Sequence, residues 1–462
     1  GPLRIPTWDL RGWTARTDTP SNTWCRAPTW LPGHLLSDAV VEHIAHEAGL
    51  SADAVREANL LHPGDRTLYG QELPRCTLPR CVGELKARVG YDDLVAGVAA
   101  FNSRSRLVKL GLALSPFKYG MEPATGYRAE VQVLPDGAVQ VRQAGVDSGQ
   151  GLRVKQAQAA ARALQAPLSC VVVDATTSAI SDRPTGGSTT SESCAASVTL
   201  AAETLAERMA PVRAQLEKDL GRAPEWEEVA AASAKRGVDL VALARYAGEK
   251  EPGLLPGVSS AAAGEAIHYQ YHSYGCGLAL VRYDALLAEA RVLRFDVVTD
   301  QGKSLNPAID LGQVHGAALM GLGYMLTEAL EFDPSDGSLR SQGTWEYKPP
   351  SAADMPEEFN VTFLAHAENP AGVFGSKAVG EPAILASSAV HAALRHAVRE
   401  VRSEAARIAR TAGDSHPKAA EFVHLDVPAT PDALAEAAGV GADAFTLYTP
   451  RDLTVDDDAD LR

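Results

Sequence analysis

Glu381 stands between Gly380 and Pro382 in the stretch Phe374-Gly375-Ser376-Lys377-Ala378-Val379-Gly380-Glu381-Pro382, at the mouth of an apolar helical pattern. Helix N-caps are usually Ser, Thr, Asp or Asn, so a glutamate there calls for another reason. Burial would oppose its charge, whereas the helix N-terminus and Lys377 would favour it. Opposed influences of this kind hold a general base near working pH. Three further loops set polar groups beside residues without a Cβ. Gly149-Gln150-Gly151 lets backbone approach a ligand while the amide both donates and accepts. Gly186-Gly187-Ser188-Thr189-Thr190-Ser191 offers hydroxyls and N–H groups just ahead of a helix, which suits a phosphate or a polar heterocycle. Asn306-Pro307-Ala308-Ile309-Asp310-Leu311-Gly312-Gln313 places a glutamine at another helix entrance. Each loop also has a plain reading, as a helix start or cap.

Other motifs fail on context. Gly302-Lys303-Ser304 has the end of a phosphate loop, but Val297 stands where its first glycine is required, which sets nucleotide hydrolysis aside. Gly321-Leu322-Gly323 lies inside a helical pattern and points to close helix packing rather than to a dinucleotide. His268 and His272 have the spacing of a zinc pair, yet His268-Tyr269-Gln270-Tyr271-His272 alternates like a strand. Cys76 and Cys81 have no second pair at useful spacing. No Gly-x-Ser-x-Gly elbow occurs. No metal site built from side chains is expected.

The elements that must position these loops alternate between helix and strand. Leu35, Val40, Ile44 and Leu50 mark a short amphipathic helix, 61–77 a loop, and Leu78 to Phe101 a second helical segment. Alternation through Val131 and Val133, the turn Pro135-Asp136-Gly137, then Val139 and Val141 predict a β-hairpin. A helix with Val154, Ala157, Ala161 and Leu164 on one face follows, then a buried strand over Leu168 to Val173. Val198, Ala201, Leu205 and Met209 share a helical stripe, with Glu203 and Glu207 outward. The charged residues 213–252 read as a solvated insertion. Strands are expected near 278–283 and 292–299, a small-residue helix over 312–330, further strands to Leu364, and a helix from Pro382 carrying Val390, Leu394, Ala397 and Val401. Beyond Ala405 a polar tail with a few short elements is expected. The fold class is α+β.

Lys and Arg total 43 against 58 Asp and Glu, a formal net charge of −15, which argues against nucleic acid or an anionic membrane surface as partner. No run approaches the length of a membrane span. Six cysteines in 462 residues are too sparse for a disulfide scaffold. The sequence opens at Gly1 without a basic or apolar leader, and it is expected to be a fragment.

The segments around Glu381, Asn306–Gln313 and Gly149–Gly151, together with Thr19-Pro20-Ser21-Asn22-Thr23-Trp24-Cys25-Arg26, resemble motifs of the xanthine dehydrogenases and aldehyde oxidases, the molybdenum hydroxylases, and stand in that family's order. Thr77-Leu78-Pro79-Arg80-Cys81 and Asp426-Val427-Pro428-Ala429-Thr430-Pro431 extend the likeness, which runs from about Arg4 to Leu447. The resemblance implies the C-terminal part of the molybdopterin-binding region. A first subdomain would end within 1–75, a second would occupy 76–405, and 406–462 would form a tail. Glu381 would be the general base. Arg26, Gln150, Gly187, Ser188, Thr190, Gln313, Lys377 and Gly380 would hold a molybdenum–molybdopterin cofactor, whose metal is carried by the pterin rather than by side chains. The 2Fe-2S and FAD modules of the complete enzyme lie outside this sequence, as does the family's Gly-x-Gly-Phe-Gly-Gly-Lys-Glu loop, so the chain alone is not expected to turn over. The aromatic pair that sandwiches purines in xanthine dehydrogenases falls on Pro28 and Pro123, which favours an aldehyde or aromatic N-heterocycle as substrate over xanthine. A homodimer and a cytoplasmic location, with a peroxisomal one as the alternative, follow from the same likeness. The other reading is a catalytically silent cofactor-binding scaffold.

Overall fold

The computed structural model describes residues 1–7, 9, 11–19, 25–122, 125–174, 180, 184–247, 269–411 and 421–439. In chain order, helices α1 (Trp30–Ala48), α2 (Ala52–Ala58), α3 (Leu78–Val89) and α4 (Tyr91–Arg104) precede the long strand β1 (Val108–Met121). A hairpin of β2 (Arg128–Val133) and β3 (Val139–Gln143) leads to α5 (Leu152–Leu164) and the short β4 (Val171–Val173). Then come α6 (Thr190–Leu220), α7 (Trp226–Lys235), β5 (Val241–Arg245), β6 (Tyr271–Asp284) and β7 (Glu289–Thr299). The chain continues through α8 (Pro307–Leu326), β8 (Glu358–Phe363), α9 (Ser388–Thr411) and α10 (Pro431–Ala438).

Two four-stranded mixed sheets organise these elements, in the orders β1-β6-β7-β8 and β4-β3-β2-β5. β1 and β6 pair antiparallel along their whole length, from Val108 opposite Asp284 to Met121 opposite Tyr271, and β7 and β8 run parallel. Side chains alternate across a strand, so β1 feeds two cores. Leu110, Leu112 and Leu114 enter a cluster with α3, whereas Ala113, Phe117, Tyr119 and Met121 enter a larger one with α8 and α9. Both faces of β1 are covered, so it is buried from Lys109 to Met121, with Lys109, Ser115 and Lys118 included. Helix α9 lies so close to β1 that a Cβ on Gly111 would come 1.8 Å from the Ala393 carbonyl oxygen, and only glycine fits that crossing. The second sheet buries Val131, Val133, Val139 and Val141 against α5, α6 and α7.

The expected hairpin is present, closed at Gly137 with φ 91°, and the stripe Val198, Ala201, Leu205, Met209 is buried with Glu203 and Glu207 exposed. Several other expectations are corrected. On α1, Val40 and Ile44 are 47% and 52% exposed, and the buried face carries Leu31, His34, Asp38 and Glu42 instead. The reason is a buried cation. Arg56 reaches Glu42 at 2.6 Å, Asp53 at 2.9 Å and Asp38 at 3.3 Å, and Glu42 also meets His396 at 2.9 Å. On α5 the expected face holds in part: Ala161 and Leu164 are buried, Ala157 is half-buried, and Val154 is exposed while Gln156 and Ala160 are buried. The helical run from Leu78 breaks at Gly90, whose φ of 62° starts a second helix. Leu168 to Val173 is a helical turn followed by a three-residue edge strand with Val172 exposed, so it is not a buried strand.

The segment 213–252 is no insertion in its described part. Trp226, Val229 and Ala230 fill the second core, the Trp226 indole donates to Gly137 O at 2.6 Å, and β5 completes the sheet. Past Ala405 the chain is not merely a polar tail, because Val423, Leu425, Leu434 and Ala437 join the main core. Between β7 and α9 only β8 is a strand among the described residues. Gly321 does mark close packing, since a Cβ there would meet Ser387 Oγ at 2.1 Å. His268 lies outside the described residues, and His272 is a buried β6 residue bonded to the Tyr69 hydroxyl at 3.0 Å.

Candidate functional site

A cavity of about 290 Å³ opens where the loops before α5, α6 and α8, the segment before α1, and residues 376–381 converge. Each loop is shaped by local chemistry. Gly187 and Ser188 both adopt left-handed φ (64° and 57°), a turn that brings Ser188 Oγ to accept the Glu381 N–H at 2.8 Å. A Cβ on Gly380 would sit 2.8 Å from that same Ser188 Oγ, so glycine is required beside the glutamate. Thr190 Oγ1 accepts the Gly186 N–H at 3.1 Å and fixes the turn into α6. Asn306 caps α8 through Ile309 N at 3.1 Å, with Pro307 at the first helical position.

Glu381 lies at the cavity wall, held at both carboxylate oxygens. Oε1 accepts the Ala27 N–H at 3.2 Å and Oε2 accepts the Tyr119 O–H at 2.7 Å. Tyr119 comes from the C-terminal end of β1, the edge strand of its sheet, and is stacked on Trp30, with ring centroids 4.5 Å apart. Burial and the Glu381 charge raise the Tyr119 phenol far above its ordinary range, so it serves as a donor. Arg26 spans the mouth. Its Nε donates to Gly380 O at 2.5 Å and Nη2 to Gln313 O at 3.1 Å. Burial pulls the guanidinium below its usual value and Glu381 opposes that shift.

Arg26, Gln150, Ser188, Thr190, Gln313, Lys377, Gly380 and Glu381 all line this one cavity. Gly187 belongs to the turn that forms its rim, and a Cβ there would meet only Thr189 Oγ1, at 3.9 Å. Their groups are not all free. Gln150 folds back on its own loop, accepting from Ser148 N at 2.6 Å and donating to Val146 O at 2.8 Å. Lys377 places its ammonium on buried Asp300 at 2.6 Å, which also accepts the Thr77 hydroxyl at 2.5 Å. Pro28 is exposed beside Ala27, and Pro123 lies outside the described residues.

Sequence reasoning missed Tyr119, the Ala27 N–H and two polar pairs in the wall. Lys155 of α5 meets Asp310 of α8 at 2.8 Å, and Asp310 also accepts the Ser304 hydroxyl at 2.6 Å. Glu192, in the first turn of α6, accepts the Tyr271 hydroxyl at 2.6 Å, and burial pushes its carboxyl up to about 7. For Tyr271 the strand-like alternation around it was a usable signal. Nothing local marks Tyr119, since its role depends on a partner far away in sequence.

Chemically, the arrangement offers an oriented carboxylate, a guanidinium bridge, hydroxyls and amides around an open floor. A Cβ on Gly186 or Gly149 would meet nothing within 4 Å, so the rim is clear for a ligand to approach backbone. Among the described residues no group of three or more His, Cys, Asp or Glu is gathered to hold a metal ion. The described lining offers hydrogen-bonding groups rather than metal ligands, a donor set that fits a metal carried on a polar, dithiolene-bearing pterin.

Comparison with known proteins agrees. The molybdopterin cofactor-binding domain matches residues 84–356, and a second domain of that description matches 1–60. The chain is 34% identical over 407 residues to a xanthine dehydrogenase of Drosophila pseudoobscura pseudoobscura, covering 87% of this chain and 30% of the relative. It is 31% identical over 455 residues to aldehyde oxidase 1 of Bos taurus, covering 97% and 32%. It thus spans about a third of the length of these curated relatives. In fold it resembles quinoline 2-oxidoreductase from Pseudomonas putida 86, with a TM-score of 0.72 at 24% identity, covering 88% of this chain and 52% of that one. With a matching family domain over more than half its length, the chain belongs to the molybdopterin cofactor-binding domains of the molybdenum hydroxylases.

Proposed function

We propose that this chain is the catalytic, molybdopterin-binding portion of an enzyme that oxidises aldehydes or aromatic N-heterocycles with water as the oxygen source. The observation that supports this best is the Glu381 carboxylate, fixed by Ala27 N–H and Tyr119 O–H at the wall of a polar cavity. When bound, the molybdenum cofactor supplies the two-electron redox chemistry. The chain's own residues do the rest. Glu381 takes up the proton released as water's oxygen is passed to the substrate carbon, and its two donors hold it in the orientation that reaction needs. Arg26 ties the Glu381 segment to Gln313, so the base and the α8 entrance move as one. Gly187, Ser188, Thr190, Gln150 and Gln313 line the part of the cavity suited to the pterin and its phosphate or nucleotide extension, and Lys377 with Gly380 closes the other side.

On the substrate side, exposed Pro28 offers no aromatic ring to stack a purine, which favours an aldehyde or a simple heterocycle. Electrons would leave to 2Fe-2S and FAD modules outside this sequence, in a cytoplasmic homodimer. Xanthine is the second reading, favoured by the 34% identity to a xanthine dehydrogenase. Molybdenum and pterin analysis of the full-length protein that carries this chain, with its cofactor matured, paired with turnover of benzaldehyde and of xanthine, tests the proposal. Metal and pterin near one per chain with faster benzaldehyde turnover supports it. Preference for xanthine gives the second reading, and a protein without either group or turnover overturns both.

A further inference from the structure

One side chain of β6 joins the first turn of α6 to the segment that carries Glu381. Tyr271 donates its O–H to Glu192 Oε2 at 2.6 Å and accepts the Ala378 N–H at 3.0 Å. Ser273, two residues along the same strand, donates to Ala378 O at 3.2 Å. Ala378 is therefore gripped at both its N–H and its C=O, three residues before Glu381. Glu192, Tyr271 and Ser273 are all buried, and Glu192 also lines the cavity.

The groups facing the Glu192 carboxyl are the Tyr271 hydroxyl from β6 and the Val373 N–H from the segment ahead of Ser376. Among the described residues no cation pairs with it. The cations of the shared cavity are answered elsewhere: Lys155 of α5 by Asp310 of α8, Lys377 by Asp300, and Arg26 by backbone carbonyls close to Glu381. A buried carboxyl with hydroxyl and amide neighbours only is one whose charge can come and go near neutral pH.

We propose that Glu192, acting through Tyr271, is the positioning residue of the Glu381 segment, and that its charge state sets how tightly the segment is held. The ionised carboxylate makes a charge-assisted bond to the phenol and so polarises its oxygen into a better acceptor for Ala378 N–H. The neutral carboxyl does so less strongly. Its bearing on turnover rests on Glu381 being the base, but the lock itself is a property of the chain and is measured without turnover.

The test is amide hydrogen exchange of residues 376–381 in the purified protein, with and without cofactor, from about pH 6 to about pH 8.5 across the range where a carboxyl of this kind titrates. Protection, corrected for intrinsic exchange, is expected to rise about tenfold with pH in the wild type. It should be flat in Glu192→Gln, which keeps the acceptor but cannot ionise, and low at every pH in Tyr271→Phe. Where active enzyme is in hand, the wild-type kcat should show an ionisation near neutral pH that Glu192→Gln lacks, with KM little changed. Protection that is flat in the wild type, or that rises equally in Glu192→Gln, overturns the proposal. If Tyr271→Phe does not fold, the pH series of the other two decides. The expected exchange pattern in a protein that binds no molybdenum would leave the lock standing and remove the functional reading alone.

Discussion

Tyr119 and Glu381, 262 residues apart in sequence, meet with the phenol donating to a carboxylate oxygen at 2.7 Å. That contact links the C-terminal end of β1 to the cavity wall. It gives the carboxylate a fixed direction that the loop around it could not provide alone.

Replacing Tyr119 by Phe keeps the stacked ring on Trp30 and removes only the donor. The account predicts that kcat falls about tenfold to a hundredfold, as for loss of one positioning hydrogen bond in a site of this kind, with KM nearly unchanged. Steady-state kinetics with thermal melting checks it, and unchanged kcat would mean that the bond is structural only.

Arg26 makes its bonds from two nitrogens of one planar group. Lysine cannot reproduce that fork. Arg26→Lys should therefore loosen the Glu381 segment from Gln313 and lower cofactor retention on dialysis, at a cost of about 1.5–3 kcal/mol for bonds from a charged donor. Metal content per chain after dialysis reads the result.

Arg56 is the hub under α1, with three carboxylates around one buried guanidinium. Their mutual attraction holds it well above the usual arginine value. Arg56→Met leaves buried carboxylates without a cation and is expected to cost about 3–5 kcal/mol. Chemical denaturation measures that loss, while kcat of the fraction that remains folded should be unchanged.

Glu192 gives a stability prediction with a definite sign. Its carboxyl is raised by burial to about 7, so between the ordinary carboxylate range and about 7 the folded state binds more protons than the unfolded one. Stability from this group is fully present below that range and is lost as pH rises through about 7. Glu192→Gln should thus match the wild type near pH 5 and exceed it near pH 8 by about 2–3 kcal/mol, a shift of that many pKa units at 1.36 kcal/mol each being the upper bound. Melting curves at the two pH values decide.

How much of this was legible in the sequence depended on whether a residue's role is local. The hairpin, the α6 stripe and the loops around Gln150, Ser188 and Gln313 follow from turn residues and periodicity, and those loops do meet at one cavity. The apolar stripe of α1 pointed the wrong way because Arg56 makes charged residues the better buried face, which no hydrophobic period can show. Charge also misdirected the reading of 213–252, where the acids and bases cap and solvate a helix whose Trp226 face is core. Lys377 looked like a neighbour of Glu381 by sequence, yet its long chain reaches Asp300 instead. Tyr119, Glu192 and Tyr271 carry no local signal for their partners, since each bond joins elements brought together only by the folded sheets.

If Glu381 is the base of a cofactor cavity, Glu381→Gln in the purified holoenzyme loses turnover while it keeps its cofactor. Molybdenum and pterin content is expected to equal wild type, with turnover reduced by a factor of about 100 or more, the range for loss of a general base. Turnover near the wild-type rate at full cofactor content would contradict it.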